Sequence, residues 1–377
     1  MDRDAGDSYE SSSRVAAGGD VIVVGIGNPS PGTHIDAQHR VWDAPTDVTL
    51  YFLRATDGKM IARRGPLRGD YFFEVTPTAK GNFLFLLRHL KNPDKDQGET
   101  LFLFSSSGEE LSKIELARSL ARDALVWNTL LFSSSGHTVL VGQTLRDGVH
   151  YHILDADSLQ SKFAWTAGAD SPRIFGISDE SMLARSRADD AEKSSPEVKS
   201  HSLLISSFGG IWLPFSPQLD LSTHLLASGP QIGQVPFLGD NVVVGLDKGQ
   251  NPTQQRIRLL RMDGTTVSSV SIPALPEHTW LDGPVLVADQ GRYFAVGFRH
   301  RPWLTHLMLD VMQMDMAFSD DVTILVVWRT SDLTPVAKIE VGAYPQALSC
   351  SPGNPATFAF IDRSELKVVR LLPEGGE

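Results

Sequence analysis

The amino-acid sequence predicts an all-β protein in which about seven four-stranded antiparallel sheets form a closed ring. Three observations lead to this prediction. Short apolar runs rich in β-branched and aromatic residues recur along the chain, and turn residues separate them. Hairpins built from these runs return at a spacing of about 50 residues, which is typical of a repeat architecture. A second set of turns falls between the first, so each repeat contains two hairpins.

The repeat of about 50 residues is seen most clearly in the turn residues. The first set of hairpin turns is centred on Gly58, Gly108, Ser158, Gly209, Gly264 and Asp332. The second set lies at Lys80-Gly81, Ser135-Gly136, Asp179-Glu180, Gly239-Asp240, Gln290-Gly291 and Pro352-Gly353. Glycine and Asx residues supply the backbone angles that tight turns require. Four-stranded blades of a β-propeller run roughly 40 to 50 residues, so the pattern predicts a single β-propeller. The period also allows six or eight blades.

The two ends of the chain close the ring. Residues 1–19 are small, polar and charged, and we expect them to be a disordered N-terminal segment, with the propeller spanning 20–373. The apolar run 20–27 predicts the second strand of the first blade, and 366–371 predicts the third strand of a blade whose fourth strand is missing. Residues 11–17 complete the last blade or start the first. Either arrangement joins the termini and removes exposed sheet edges.

Three insertions interrupt the period. Residues 92–98 form a charged loop, and 185–200 are poor in apolar residues, which predicts a mobile loop. Residues 300–321 differ because they are apolar and rich in methionine. Helical spacing places Leu304, Leu307, Met308, Val311 and Met312 on one face, which predicts an amphipathic helix. The competing pattern is the alternation of Met312, Met314 and Met316, which is typical of a strand; the helix is favoured.

Composition limits the classes of function. The chain has 34 basic and 45 acidic residues, a formal net charge of −11, which argues against a surface for nucleic acid or anionic membranes. A single cysteine, Cys350, excludes an intrachain disulfide. No apolar run approaches the roughly 20 residues that span a bilayer, and the first 20 residues lack a signal-peptide core. We therefore expect a soluble monomer, cytoplasmic as written and extracytoplasmic if the true start lies upstream.

Motifs that suggest chemistry have simpler explanations. Gly25-x-Gly27 lacks the third glycine and the following helix of a dinucleotide fingerprint, and is interpreted as a turn at a strand end. His150 and His152 lie on one face of a strand, but no third metal ligand stands at a recognisable spacing. The serine-rich stretches 105–107 and 133–135 fall at repeat-phased turns. We therefore expect no cofactor and no metal.

One stretch of the sequence resembles a known superfamily. The hairpin 323–341 is followed by the turn Ser351-Pro352-Gly353. Residues 327–332 (VWRTSD) resemble the V-W-D-x-x-T/S strand end of WD40-like and YVTN-like propellers, and 349–353 resemble their F-S-P-D-G turn. The resemblance spans roughly residues 47–372. It implies a propeller fold and a function as a protein-binding platform or, less often, in lactone hydrolysis or in quinone and metal chemistry. No catalytic residue set carries over.

The resulting hypothesis is a non-enzymatic scaffold that binds a protein or peptide partner. The alternative is a hydrolase or metal-dependent enzyme with a site at the central channel. The insertion 300–321 is the predicted partner surface, because loops of this kind add function to a rigid framework. Its partner-binding residues are predicted to be Trp303, Leu307, Met308, Met312, Met314 and Met316.

Overall fold

The computed structural model describes residues 13–29, 34–35, 41–42, 46–68, 73–88, 99–116, 129–145, 148–167, 173–185, 211–214, 238, 242–247, 256–261, 266–273, 275–277, 279–301, 322–342, 347–362 and 365–371. Within these ranges the strands form seven antiparallel sheets of three or four strands and one two-stranded ribbon. The chain is a β-propeller, and each of the seven larger sheets is one blade.

The first three blades each show four strands. Blade 1 contains β1 (Ser13–Ala17), β2 (Val21–Pro29), β5 (Thr46–Arg54) and β6 (Met60–Arg68), and the ribbon of β3 (His34–Ile35) and β4 (Val41–Trp42) lies between β2 and β5 in the chain. Blade 2 contains β7 (Phe73–Pro77), β8 (Phe83–Arg88), β9 (Glu99–Phe104) and β10 (Glu110–Leu116). Blade 3 contains β11 (Thr129–Phe132), β12 (Thr138–Leu145), β13 (Gly148–Asp155) and β14 (Ser161–Ala167).

The remaining four blades follow in chain order. Blade 4 contains β15 (Arg173–Ile177), β16 (Ser181–Arg185) and β17 (Ile211–Pro214), and blade 5 contains β18 (Val242–Asp247), β19 (Arg256–Arg261) and β20 (Thr266–Ser271). Blade 6 contains β21 (Thr279–Ala288), β22 (Tyr293–His300), β23 (Val322–Arg329) and β24 (Pro335–Gly342). Blade 7 contains β25 (Leu348–Cys350), β26 (Thr357–Asp362) and β27 (Glu365–Arg370).

The hydrophobic core lies between blades rather than within them. Alternate side chains of a strand point to opposite faces, so a strand sandwiched between two blades must be apolar at every position. Strand β22 illustrates this, because Phe294, Val296 and Phe298 pack against blade 5 while Tyr293 and Ala295 pack against blade 7. Among the described residues, clusters of this kind join six pairs of neighbouring blades: 1 and 2, 2 and 3, 3 and 4, 5 and 6, 6 and 7, and 7 and 1.

The first and last blades close the ring by side-by-side packing. Strand β1 contacts β7 on one side and β25 on the other. The Ala17 amide donates to Ser349 Oγ at 3.2 Å, and Arg370 forms a 2.7 Å ion pair with Asp20. Strand β1 pairs with β2 along its whole length. Residues 13–17 therefore start the first blade and do not complete the last one, which decides between the two arrangements that the sequence allowed.

One predicted boundary is corrected. The boundary of the disordered segment at residue 19 is too late, because Ser13–Ala17 is the innermost strand of blade 1 and its Ala16 and Ala17 are fully buried. In blade 4, β17 pairs directly with β16.

The strand that carries Gly25-x-Gly27 continues to Pro29 and pairs with β5 along its length. The interpretation of these glycines as a strand-end turn is therefore wrong. Gly25 is needed for packing, because a Cβ there would lie 2.6 Å from the Phe73 ring of the next blade.

Candidate functional site

A cavity lies at the centre of the ring, between the innermost strands. Its volume is about 380 Å³ and it is open to solvent. Blades 1, 2, 3, 4, 6 and 7 all contribute walls, and the polar members of the lining are Arg14, Glu74, Thr76, Ser133, Ser134, Ser349 and Cys350. This is the central channel in which the sequence analysis placed the alternative, enzymatic site.

The two ionisable side chains of opposite charge in the channel wall stand on neighbouring strands, Arg14 on β1 and Glu74 on β7. The Arg14 guanidinium lies 5.8 Å from the centre of the Phe73 ring and donates to the Ser13 carbonyl at 2.9 Å. Around them the wall is apolar at Val75, Leu131, Ile177 and Leu348. The channel therefore combines a mainly uncharged surface with one charged region.

Cys350 is the thiol of the channel wall. Its Sγ donates to the Val287 carbonyl at 3.1 Å, which joins β25 to β21 of the preceding blade. Burial raises the pKa of the Cys350 thiol to about 12. A thiol with this pKa stays protonated at neutral pH and is a poor nucleophile, because the thiolate is the reactive form. Cys350 is therefore a packing residue of the wall.

The antiparallel topology gives the ring two unlike faces. We call turn face the one that carries the connections between first and second strands and between third and fourth strands of each blade. The opposite, loop face carries the connections between second and third strands and between successive blades. The short repeat-phased turns fall on the turn face, and all three sequence insertions connect strand ends on the loop face.

The turn of blade 7, residues 351–355, closes the channel at the turn face. Pro352 lines the cavity and its ring packs against Gly136 of blade 3, three blades further around the ring. A Cβ added at Gly136 would lie 2.7 Å from the Ala79 nitrogen and 2.8 Å from Pro352 Cγ. The turn thus reaches across the axis and forms the floor of the channel.

Backbone hydrogen bonds hold this floor. The amides of Asp289 and Gln290 in blade 6 donate to the carbonyls of Ser351 and Pro352 at 3.1 and 2.6 Å. Within the turn, Ser351 Oγ lies 2.9 Å from the Gly353 carbonyl and accepts a hydrogen bond from the Thr357 amide at 3.0 Å. Ser351 is fully buried, so its hydroxyl serves the turn.

Other turns of the same face are joined in the same way. The Ala79 amide donates to the Gly136 carbonyl at 2.9 Å, between blades 2 and 3. Ser135 Oγ donates to Asp179 at 2.8 Å, between blades 3 and 4, and Asp157 of blade 3 accepts from Thr78 of blade 2. The prediction that the serine stretches are turn residues is confirmed, because Ser133 Oγ accepts from the Thr138 amide at 3.0 Å.

The predicted partner-binding residues belong to the loop face. Strand β22 ends at His300 and β23 begins at Val322, so the insertion connects the second and third strands of blade 6. Trp303, Leu307, Met308, Met312, Met314 and Met316 lie outside the described residues. Their assignment to a partner site stays a prediction. The same holds for the mobile loop predicted at 185–200, of which only Arg185 is described.

The paired histidines lie on β13, the third strand of blade 3, rather than on a channel strand. His150 Nδ1 lies 3.5 Å from Thr166 Oγ1. Burial, and next the neighbouring His150, lower the pKa of His152. Within the part of the chain that the structure describes, no group of three potential metal ligands comes together, here or elsewhere.

Comparisons with known proteins give similar solved structures but no family. No model of a protein family matches the chain, and no curated protein matches its sequence. Among solved structures, the β-propeller domain of the Trilobed protease from Pyrococcus furiosus is similar at 8% identity and a TM-score of 0.48, covering 97% of each chain. BamB from Moraxella catarrhalis gives 13% identity and a TM-score of 0.35, covering 96% of this chain and 83% of its own. A chain of a mitotic checkpoint complex gives 11% and 0.42, covering 97% and 88%.

These likenesses are similarities of fold with TM-scores below 0.5, and they carry no argument about this chain. The resemblance to degenerate WD40-like and YVTN-like propellers is confirmed at that level by the blade topology itself. Within the described residues, no helix is both apolar enough and long enough to cross a bilayer.

Sequence reasoning did not single out the channel residues. Arg14 falls in the segment predicted to be disordered, Glu74 carries no motif, and Ser349 and Cys350 belong to a stretch that was interpreted only as a turn. One signal could have found most of them, namely their position in the short run that precedes each turn of the second set. In a propeller, that run is the innermost strand.

Proposed function

We propose that this protein is a non-enzymatic propeller scaffold that binds a protein or peptide partner at its loop face. The observation that carries the proposal is the difference between the two faces. The turn face is closed by the 351–355 turn and by hydrogen bonds between successive turns. The long insertions leave and re-enter the ring on the opposite face, which is therefore the face that can vary without disturbing the core.

The insertion between His300 and Val322 supplies the contact residues in this proposal. Methionine side chains are flexible and polarisable, so they adapt to apolar surfaces of different shape. Trp303 supplies a large amphipathic contact of the kind that dominates binding energy at protein interfaces. The four-strand framework of blade 6 does not require the segment, because blade 3 makes the equivalent connection with two residues, 146–147.

The decisive experiment removes residues 302–319 and joins the ends with a short Gly-Ser bridge. The matched control removes 186–199, the polar insertion of blade 4, in the same way. We expect the first deletion to abolish capture of a partner from a cell extract while the melting temperature stays within a few degrees, and the control to retain capture. A large fall in melting temperature with aggregation would mean that the insertion covers its own blade.

Elemental analysis tests the alternative of a metal-dependent enzyme at the channel. A stoichiometric, tightly bound metal that survives dialysis would overturn the scaffold proposal. We expect the purified chain to carry no such metal and to show no absorbance from a nucleotide or haem.

A further inference from the structure

The outer edge of blade 7 differs from that of the other blades. Where the structure describes four strands, in blades 1, 2, 3 and 6, the fourth strand covers the third. In blade 7 the sheet ends at its third strand, β27, with no fourth strand among the described residues. Unpaired strand edges are natural templates for pairing with another chain.

The register shows which backbone groups face this edge. The Leu371 amide donates to the Ala356 carbonyl at 2.9 Å, just beyond the last ladder pair, Thr357 with Arg370. Hydrogen-bonded and non-hydrogen-bonded pairs alternate along an antiparallel ladder. The N–H and C=O groups of Leu366, Val368 and Arg370 therefore point away from β26, toward the open edge.

The side chains of β27 also show the apolar pattern of a strand that is covered by neighbouring strands. Leu366 and Val368 pack toward blade 1, while Val369 and Leu371 pack toward blade 6, so both faces are apolar. Yet none of the six residues of β27 is fully buried. In β23, the third strand of blade 6, the six residues from Thr323 to Trp328 are buried beneath the fourth strand.

The complete blades show what covers such a strand. In blade 6 it is β24, which pairs along β23 and buries Ile339 and Val341 at alternate positions. The fourth strands of the four complete blades, β6, β10, β14 and β24, have seven to nine residues. Residues 1–12, MDRDAGDSYESS, lack this alternation of apolar side chains and carry four acidic residues.

We propose that the open edge of blade 7 binds an extended segment of a partner protein as an added fourth strand, antiparallel to β27. The segment has seven to nine residues with apolar side chains at alternate positions. Main-chain hydrogen bonds to Leu366, Val368 and Arg370 supply affinity, and the apolar side chains supply specificity. The proposal deepens the scaffold function and rests on it, but it concerns a different surface from the 302–319 insertion.

The test uses the full chain and a synthetic peptide with the sequence of β24, PVAKIEVG. Amide hydrogen exchange is followed at single residues with and without the peptide. In the free chain, Lys367, Val369 and Leu371 should exchange slowly, and Leu366, Val368 and Arg370 fast. Saturating peptide should slow these three amides at least tenfold, and a scrambled peptide should not.

Val368→Pro is the blocking variant, because it removes an edge-facing N–H that takes no part in the ladder with β26. Val368→Ala is its matched control, since it keeps the N–H and loses two methyl groups. We expect the proline variant to lose peptide binding at least tenfold, and the alanine variant to keep it within about threefold. Leu366→Pro provides a second blocking variant if Val368→Pro does not fold.

Three outcomes would overturn the proposal. Peptide binding that survives both proline variants would place it elsewhere. Slow exchange of Leu366 and Val368 in the free chain, relieved by removing residues 1–12, would make the N-terminal segment the occupant. Protection that rises with protein concentration would make a second copy the occupant. In each of these cases, capture of a partner from a cell extract that still depends on residues 302–319 would continue to support the proposed scaffold function.

Discussion

Trp328 shows how one residue joins two blades. Its ring is fully buried and stacks on Phe294, with centroids 5.6 Å apart and planes 12° apart, and it contacts Phe298 at 6.3 Å. The cluster around it includes Ile257 and Leu259 of blade 5. Its indole N–H is buried with no hydrogen-bond partner among the described residues. The packing therefore offsets the cost of a buried polar group without a partner.

We expect Trp328→Phe to cost much less stability than Trp328→Ala. Phenylalanine keeps the stack and removes the unsatisfied N–H, so we expect a loss of about 1–2 kcal/mol, against about 3–5 kcal/mol for the alanine cavity. Urea denaturation of both variants measures the difference. Equal losses would mean that the indole N–H is satisfied in solution and that ring stacking contributes little.

The thiol of Cys350 predicts a dependence of stability on alkaline pH. The ordinary pKa of a cysteine thiol is 9.0, and burial raises the pKa of Cys350 in the folded chain to about 12. Between these values the unfolded chain loses the proton while the folded chain retains it, so stability falls as pH rises. Below pH 9 both states hold the proton and the contribution is constant.

We therefore expect the free energy of unfolding to fall more steeply from pH 9 to 11 in the natural chain than in Cys350→Ala. The extra slope should reach up to about 1.4 kcal/mol per pH unit. Denaturant titrations at several pH values measure both slopes, and the lysines and tyrosines common to both chains cancel in the difference. Parallel slopes would show that the thiol ionises equally in the folded and unfolded states.

At the scale of elements, the turns do more than reverse the chain. Gly58 and Gly136 both adopt positive φ angles, 69° and 76°, at turns of the same face. A Cβ at Gly58 would meet nothing within 4 Å, whereas one at Gly136 would meet Ala79 and Pro352 at under 3 Å. The two turns therefore separate the cost of backbone conformation from the cost of disturbing the channel floor.

We expect Gly58→Ala to cost about 1 kcal/mol, the ordinary penalty for a side chain at positive φ. Gly136→Ala should cost at least twice as much, because it adds a clash with the backbone of blade 2 and with the 351–355 turn. Thermal unfolding of both variants tests the difference. Similar losses would mean that the 351–355 turn moves away without cost and does not fix the floor.

At the scale of the whole molecule, β1 is the element on which ring closure depends. It stands between β7 and β25, and Val15, Ala16 and Ala17 are buried against both neighbouring blades. Polar contacts extend this junction, since Thr357 Oγ1 donates to the Gly19 carbonyl at 3.3 Å and Arg370 pairs with Asp20. Because side-chain packing closes this ring, β1 is required to join blade 1 to both of its neighbours.

We expect removal of residues 1–12 to leave the melting temperature within about two degrees, and removal of 1–17 to lower it by ten degrees or more or to prevent folding. The five further residues take away the innermost strand of blade 1 and open the apolar interfaces with blades 2 and 7. Differential scanning calorimetry of the two truncations tests this. Matching melting temperatures would mean that the ring closes without β1.

Local patterns were enough to predict much of the fold. Alternating and continuous apolar runs identify strands, and glycine and Asx residues identify turns, because both depend on near neighbours in the chain. The repeat then predicts the propeller, about seven blades with six or eight also allowed, and the place of the insertion after His300. The hydroxyls of the serine turns were assigned correctly for the same reason.

Only the tertiary structure decided the features that join distant residues. Pairing of β1 with β2 places residues 13–17 in the first blade, and a hydrogen bond between Ala17 and Ser349, which are 332 positions apart, joins that blade to the last one. The floor of the channel forms because Pro352 packs against Gly136. The channel itself forms because the innermost strands of six blades surround one axis. The sequence by itself determined strands, turns and period, since these are local. The channel, its closed face and the open edge of blade 7 follow from which strands meet in space.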